Sequence, residues 1–192
     1  GSSAAFAAFA VVWPTLGRST AAWVSGALQE RVRVQAVALI GAGIIAVGGI
    51  AATVAAWAAA PIPWLLAAFA CMGWGIGTIS TSSLALLQGR ADPREMGRVS
   101  AAHHFIRSLG FAYGAAVAGL VMFWLVDRRT GDAELVRGLL GEAEISVDAG
   151  VADALASAYT WSLAVMAVLC AMTVPAALAL FRRYNPDRVS RD

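Results

Sequence analysis

The sequence predicts an all-α, polytopic membrane protein with five transmembrane helices, and three observations predict it. Of its 192 residues, 59% are hydrophobic and only 14% charged, against roughly 25% charged in a soluble domain. Mean hydropathy is +0.70. The apolar residues gather into five blocks of roughly 25 residues, each longer than the roughly 20 that cross a bilayer as a helix. The arginines, finally, concentrate in alternate connections between those blocks. Lipid offers the backbone no partners, so blocks of this length close their hydrogen bonds within a helix. A membrane barrel would need shorter segments of alternating polarity.

The spans run over 4–28, 35–59, 62–87, 99–126 and 157–181. Pro14, Pro61, Pro63 and Pro175 fall near span ends or at kinks, which membrane helices tolerate when neighbours re-satisfy the backbone. The first connection holds Arg31 and Arg33 against Glu30, and the second, Ala60 to Pro63, carries no charge. The third holds Arg90, Arg94 and Arg98 against Asp92 and Glu95. The fourth, 127–156, is mainly acidic, and the tail 182–192 is mainly basic. Basic residues in short loops mark the cytoplasmic side. The first and third connections and the tail are therefore cytoplasmic, the acidic segment is extracytoplasmic, and the N-terminus lies outside. In the acidic segment Leu135, Val136, Leu139 and Leu140 follow helical spacing, so it is read either as a surface amphipathic helix or as a flexible acidic loop.

Several classes are disfavoured. Cys71 and Cys170 sit inside apolar blocks, where small packing residues are the reading rather than a disulfide framework. No Cys/His cluster has metal-ligand spacing, so no metal, cofactor or catalytic residue is assigned. No span contains Asp or Glu, which disfavours a membrane enzyme. The chain opens Gly1-Ser2-Ser3 and enters an apolar block with no basic leader or cleavage site. This argues against a signal peptide and gives the expectation of a truncated piece of a longer protein.

Charges at depth are the sharpest signals. Arg107 lies two turns inside the fourth span, and a charge there is functional by default. A gate ion pair, a helix-end clamp and snorkelling to the interface are the open readings. Arg18, after Pro14 and Gly17, either faces a polar central cavity or snorkels toward Glu30. His103 and His104 either carry protons or sit at the interface. Gly110, Gly114 and Ala118 form a small-residue face suited to close helix packing. Gly73, Gly75 and Gly77 also suit packing, and Ser80, Thr81, Ser82 and Ser83 bond back to their own helix or line a pathway. Asp92 before Pro93 suits an N-cap, with Glu95 near the positive helix end.

The motif Gln88, Pro93, Arg94, Gly97, then Phe105, Arg107, Gly110 and Gly114 resembles the major facilitator superfamily, closest to its fourteen-span multidrug drug:proton antiporter branch. Gly26-Ala-Leu-Gln-Glu-Arg31-Val-Arg33 is similar to the superfamily's cytoplasmic loop. Phe111 departs, standing where that branch usually has glycine. The resemblance covers nearly the whole chain and is most specific over 73–119. It implies five helices of the C-terminal bundle of a plasma-membrane secondary transporter, with the N-terminal bundle as partner and the C-terminus cytoplasmic. It further implies alternating access and proton-coupled efflux of hydrophobic or amphipathic small molecules, the coupling acid lying outside this chain. Arg107, Arg18, Gly110, Gly114, Arg31 and Arg33 are the transport and gating candidates. Substrate, protons and lipid are the other partners, and no nucleic acid is implied. Trp13, Trp23, Trp57, Trp74, Phe105, Tyr113 and Trp161 are candidates for apolar substrate contact or for interfacial belts, with Trp64 and Trp124 as belt residues. The alternative from another class is a membrane scaffold or assembly subunit that does not transport.

Overall fold

A computed structural model describes residues 2–130 and 149–183, with side chains described over 15–129 and 153–179 and at 182. The acidic stretch carrying Leu135 to Leu140 and the tail beyond Arg183 lie outside these residues. All the regular structure described is helical: α1 (Ser2–Gln29), α2 (Val34–Trp57), α3 (Ile62–Gln88), α4 (Met96–Thr130) and α5 (Ala149–Arg183). Four stretches, Val34–Trp57, Ile62–Gln88, Met96–Arg129 and Asp153–Ala179, are long and apolar enough to cross a membrane. The 28-residue α1 forms over the first apolar block. The helices begin and end within three residues of the sequence-based spans except at the ends of α4 and α5. There α4 continues to Thr130 and α5 begins at Ala149 rather than Ser157. Hydropathy reports where a helix meets lipid, whereas backbone hydrogen bonding continues past the interface into polar sequence.

The packing order differs from the chain order. α3 packs against α1 and α2, α2 against α5, and α5 against α4, while α4 makes a smaller contact back to α3. Thus α3, α2, α5 and α4 form a closed circuit, and α1 lies on the outer side of α3. α2 is the central helix, with half of its spanning window buried. Small residues set these approaches. A Cβ at Gly75 would stand 2.7 Å from the Ile45 nitrogen and 2.8 Å from the Gly41 carbonyl oxygen, so α2 and α3 meet backbone to backbone. Likewise a Cβ at Gly49 would lie 3.2 Å from Ala167 Cα, which joins α2 to α5. Small side chains are what permit such contact where lipid supplies no hydrophobic drive between helices. α4 joins α5 through Val126 and Ala158, flanked by Met122, Leu125 and Leu155.

Buried hydroxyls keep their polarity local. Thr53 donates to the Gly49 carbonyl at 3.0 Å, Thr78 to Trp74 at 3.0 Å and Ser162 to Ala158 at 2.9 Å. Each satisfies itself within its own helix. Two glutamines tie helices together at one end of the molecule. The Gln29 amide donates to Ser82 Oγ at 3.3 Å, and the Gln88 amide donates to Ser100 Oγ at 3.0 Å. At the opposite end, Trp57 and Trp161 meet edge to face with ring centroids 6.1 Å apart, and the Arg128 guanidinium lies 5.0 Å over the Trp124 ring. Trp64 is exposed at the same end, so tryptophans from four helices gather there as an interfacial belt would.

Candidate functional site

α1 and α4 both pack against α3, and among the described residues their backbones do not approach each other closely. The gap between them is a cavity of about 300 Å³ lined by Arg18 from α1, Ser80 and Thr81 from α3, and His103, His104 and Arg107 from α4. The glycines of α3 explain why it exists. A Cβ at Gly77 would stand 2.6 Å from the Arg18 carbonyl oxygen and 2.9 Å from Ala21 Cβ. At Gly17 it would stand 2.7 Å from the Ala70 carbonyl oxygen. These contacts press α1 onto α3 at the level of Arg18 and turn its side chain toward the gap. On the other flank, α4 is tied to α3 at Ser100 and to α5 around Val126. The stretch between those ties spans the opening.

Helix geometry puts the site at one depth. Arg18 stands eleven residues before the end of α1, Gly77 eleven before the end of α3, and Arg107 eleven after the start of α4. At 1.5 Å per residue each lies about 16 Å from its helix end. The three helices carry no Asp or Glu over 1–29, 62–88 and 96–126. Arg18 and Arg107 repel each other across the cavity, and His103 sits beside both His104 and Arg107. The two imidazoles meet edge to face at 5.5 Å. Arg107 places its guanidinium 5.3 Å over the Phe111 ring, and its Nε is shut off from solvent with no hydrogen-bond partner. The hydroxyl of Thr81 donates to the Gly77 carbonyl at 3.0 Å, which leaves the oxygen lone pairs of that hydroxyl on the cavity wall.

The sequence candidates divide. Arg18 and Arg107 line the same cavity. His103 and His104, read as proton carriers or interfacial residues, join them. Arg31 and Arg33 lie exposed in the α1–α2 turn, away from the cavity. Arg33 is the N-cap residue of α2 without a side-chain capping bond. Among the described residues nothing lies within 4 Å of where a Cβ would stand at Gly110 or Gly114, and the described contacts of α4 fall before and after them. Of the aromatic candidates, Trp23, Trp57, Phe105, Tyr113 and Trp161 face outward, and Trp74 backs the α1–α3 contact at Gly17. The described cavity wall is mainly apolar, with guanidinium, imidazole and hydroxyl groups set among Ala22, Gly77 and Leu84. Ser80 and Thr81 could be singled out from the sequence as polar residues on a Gly-rich helix, but their facing Arg107 depends on tertiary register.

No group of His, Cys, Asp or Glu able to hold a metal ion occurs among the described residues. Both cysteines are free thiols, and Cys71 Sγ lies 3.7 Å from the Ile44 carbonyl oxygen between α3 and α2. Two further cavities are mainly apolar. One of about 540 Å³ lies between α2, α3 and α5 near Gln35 and Leu87, and one of about 500 Å³ lies between α2 and α3 near Trp64. Comparison of the chain with protein-family models, with curated proteins and with solved structures found no match.

Proposed function

We propose that this chain forms most of the C-terminal bundle of a secondary transporter of the major facilitator type, exporting amphipathic small molecules by alternating access. One observation carries the proposal: a cavity lined by three helices that gathers two arginines from different helices in a setting without carboxylates. A charge inside a membrane is costly and is retained where it meets a substrate, an ion or a moving partner. Midplane sites between helical bundles are where transporters of this kind hold their cargo. In the fourteen-span antiporter reading, all five helices span the plasma membrane and the C-terminus is cytoplasmic. Protons drive the cycle through an acid in the part of the protein outside this chain.

The supporting chemistry is mechanical as well as electrostatic. α1 and α4 border the cavity and their described backbones do not approach each other closely, so the opening between them can widen or close without breaking a helix–helix contact described here. α3 is the fixed wall, held to α1 and α2 through backbone-close glycines. Arg107 is the residue whose state must change when the cavity changes sides, since it combines an unmatched buried donor with a fixed charge.

The test is Arg107→Ala in the full-length protein. Export of an amphipathic dye from cells should fall at least tenfold, with membrane insertion and protein level unchanged by immunoblot of the membrane fraction. Wild-type export by that variant would remove Arg107 from the mechanism. Absence of export by the wild-type protein across dyes of every charge would leave the non-transporting scaffold reading, which the open Gly110–Gly114 face of α4 also suits.

A further inference from the structure

We propose that the Arg18–Arg107 cavity recognises an organic anion, so that the exported substrate carries a carboxylate or sulfonate on a compact apolar body. The inference rests on reading this cavity as the substrate site and adds the substrate's charge.

The argument begins with the charge balance. Two guanidiniums that stay protonated at any physiological pH line one cavity of about 300 Å³. The membrane-embedded parts of α1 through α5 offer them no acid: residues 1–29, 31–91, 96–126 and 154–181 contain no Asp or Glu. The Arg98–Glu95 ion pair, at 3.0 Å, lies on the exposed turn before α4. Arg107 is partly buried and Arg18 is exposed, and two like charges facing one cavity are stabilised by a negative group between them. The donor inventory agrees. Arg107 Nε is an N–H out of solvent without an acceptor, and leaving a buried donor unmet is costly. His103, His104, Ser80 and Thr81 ring the same space. His103, His104 and Ser80 can donate to an oxyanion, whereas the Thr81 O–H is taken by the Gly77 carbonyl, and the guanidinium fork matches carboxylate or sulfonate oxygens in a bidentate fashion.

The shape limits the rest of the molecule. The cavity is at the small end of ligand sites, and Ala22, Gly77 and Leu84 form its apolar wall. A single fused-ring or short-chain body fits such a space better than a large polycyclic drug. A cation would meet two arginines and no counter-charge, so the same geometry that attracts the anion rejects an amphipathic cation.

The experiment uses the full-length protein in phosphatidylcholine nanodiscs with three matched probes: 1-naphthalenesulfonate, 1-naphthylmethylammonium and neutral 1-naphthylmethanol. Equilibrium dialysis should show the sulfonate binding at least tenfold more tightly than either of the others. Arg18→Gln and Arg107→Gln should each weaken it at least tenfold, while Arg98→Gln, at the exposed Glu95 pair, should not change it. Thr81→Glu supplies a built-in carboxylate at the cavity wall. It should abolish sulfonate binding while relieving the repulsion between the arginines, so it tests the idea even if an arginine variant fails to fold. Equal binding of all three probes, or wild-type sulfonate affinity in folded Arg18→Gln and Arg107→Gln, would overturn the inference. So would loss of sulfonate binding in phosphatidylglycerol nanodiscs without competition from soluble phenyl phosphate, which would assign the site to a lipid headgroup. Export of the ammonium probe without sulfonate binding would sink the anion site and leave the transporter standing. Arginine-dependent sulfonate binding without export of any probe would do the reverse.

Discussion

Gly77 and Gly110 each stand close to an arginine that lines the cavity, yet they do opposite work. The backbone of Arg18 presses against Gly77, whereas among the described residues nothing approaches Gly110. Replacing Gly77 by valine forces branched carbon into a position already 2.6 Å from a backbone oxygen. Backbone cannot give way as a flexible side chain can, so α1 must lift off α3. Overpacking of this kind costs about 1–3 kcal/mol. Gly77→Val should therefore lower the thermal midpoint of the purified chain in detergent and dismantle the cavity. Gly110→Ala should leave the midpoint unchanged or raise it, since alanine favours a helix over glycine by about 1 kcal/mol. Intrinsic tryptophan fluorescence against temperature checks both, and a stable Gly77→Val protein would contradict the α1–α3 contact. Ala59 offers a third case. It sits at φ 46° in the turn after α2, a left-handed conformation that an L-residue adopts at a cost of about 1–2 kcal/mol. Ala59→Gly should raise the same midpoint.

At the scale of elements, the turns explain what the sequence reading caught and what it missed. Asp92 was expected to cap a helix running directly into the membrane. Its carboxylate does accept the Arg94 backbone N–H at 2.8 Å, the bond an N-cap makes. However, Glu95 N–H returns to the Asp92 carbonyl at 2.8 Å, and the α-helix begins only at Met96. The cap closes a tight turn that then feeds the helix through Val99 N–H to the Glu95 carbonyl at 3.0 Å. Asp92→Ala should cost about 1 kcal/mol, seen as faster amide hydrogen exchange at Arg94 and Glu95 with no change deep in α4. The α2–α3 turn was legible only as a proline-marked break. There Ala60 N–H donates to the Ala55 carbonyl at 2.9 Å around the left-handed Ala59, a helix stop that usually carries glycine. Alanine hid that signal. The Gly110–Gly114 spacing shows that a helix could approach and says nothing about whether one does.

At the scale of the whole molecule, lipid solvation made the helices legible, because a block of 25 apolar residues has one structural solution. The site was legible in part. The cost of charge at depth marked Arg18 and Arg107, one at a time. Their meeting depends on both α1 and α4 packing on α3, an arrangement that hydropathy does not carry and to which backbone-close glycines contribute. The orientation of this assembly is the remaining prediction. α3 has 27 residues, about 40 Å at 1.5 Å each, which exceeds the roughly 30 Å hydrocarbon core. If α3 crosses, the uncharged Ala60 turn and the arginine-bearing Gly89–Arg98 turn stand on opposite faces, and the positive-inside rule predicts the latter inside. In the full-length protein with Cys71 and Cys170 replaced by alanine, single cysteines at Ala60, Gly141, Arg33 and Arg94 test this. A membrane-impermeant maleimide applied to intact cells should label the Ala60→Cys and Gly141→Cys proteins. Arg33→Cys and Arg94→Cys should react only after the cells are permeabilised. Labelling of Arg94→Cys from outside together with Ala60→Cys would mean that α3 does not cross. The cavity would then lie at a surface, and its arginines could be solvated by water without any anion between them.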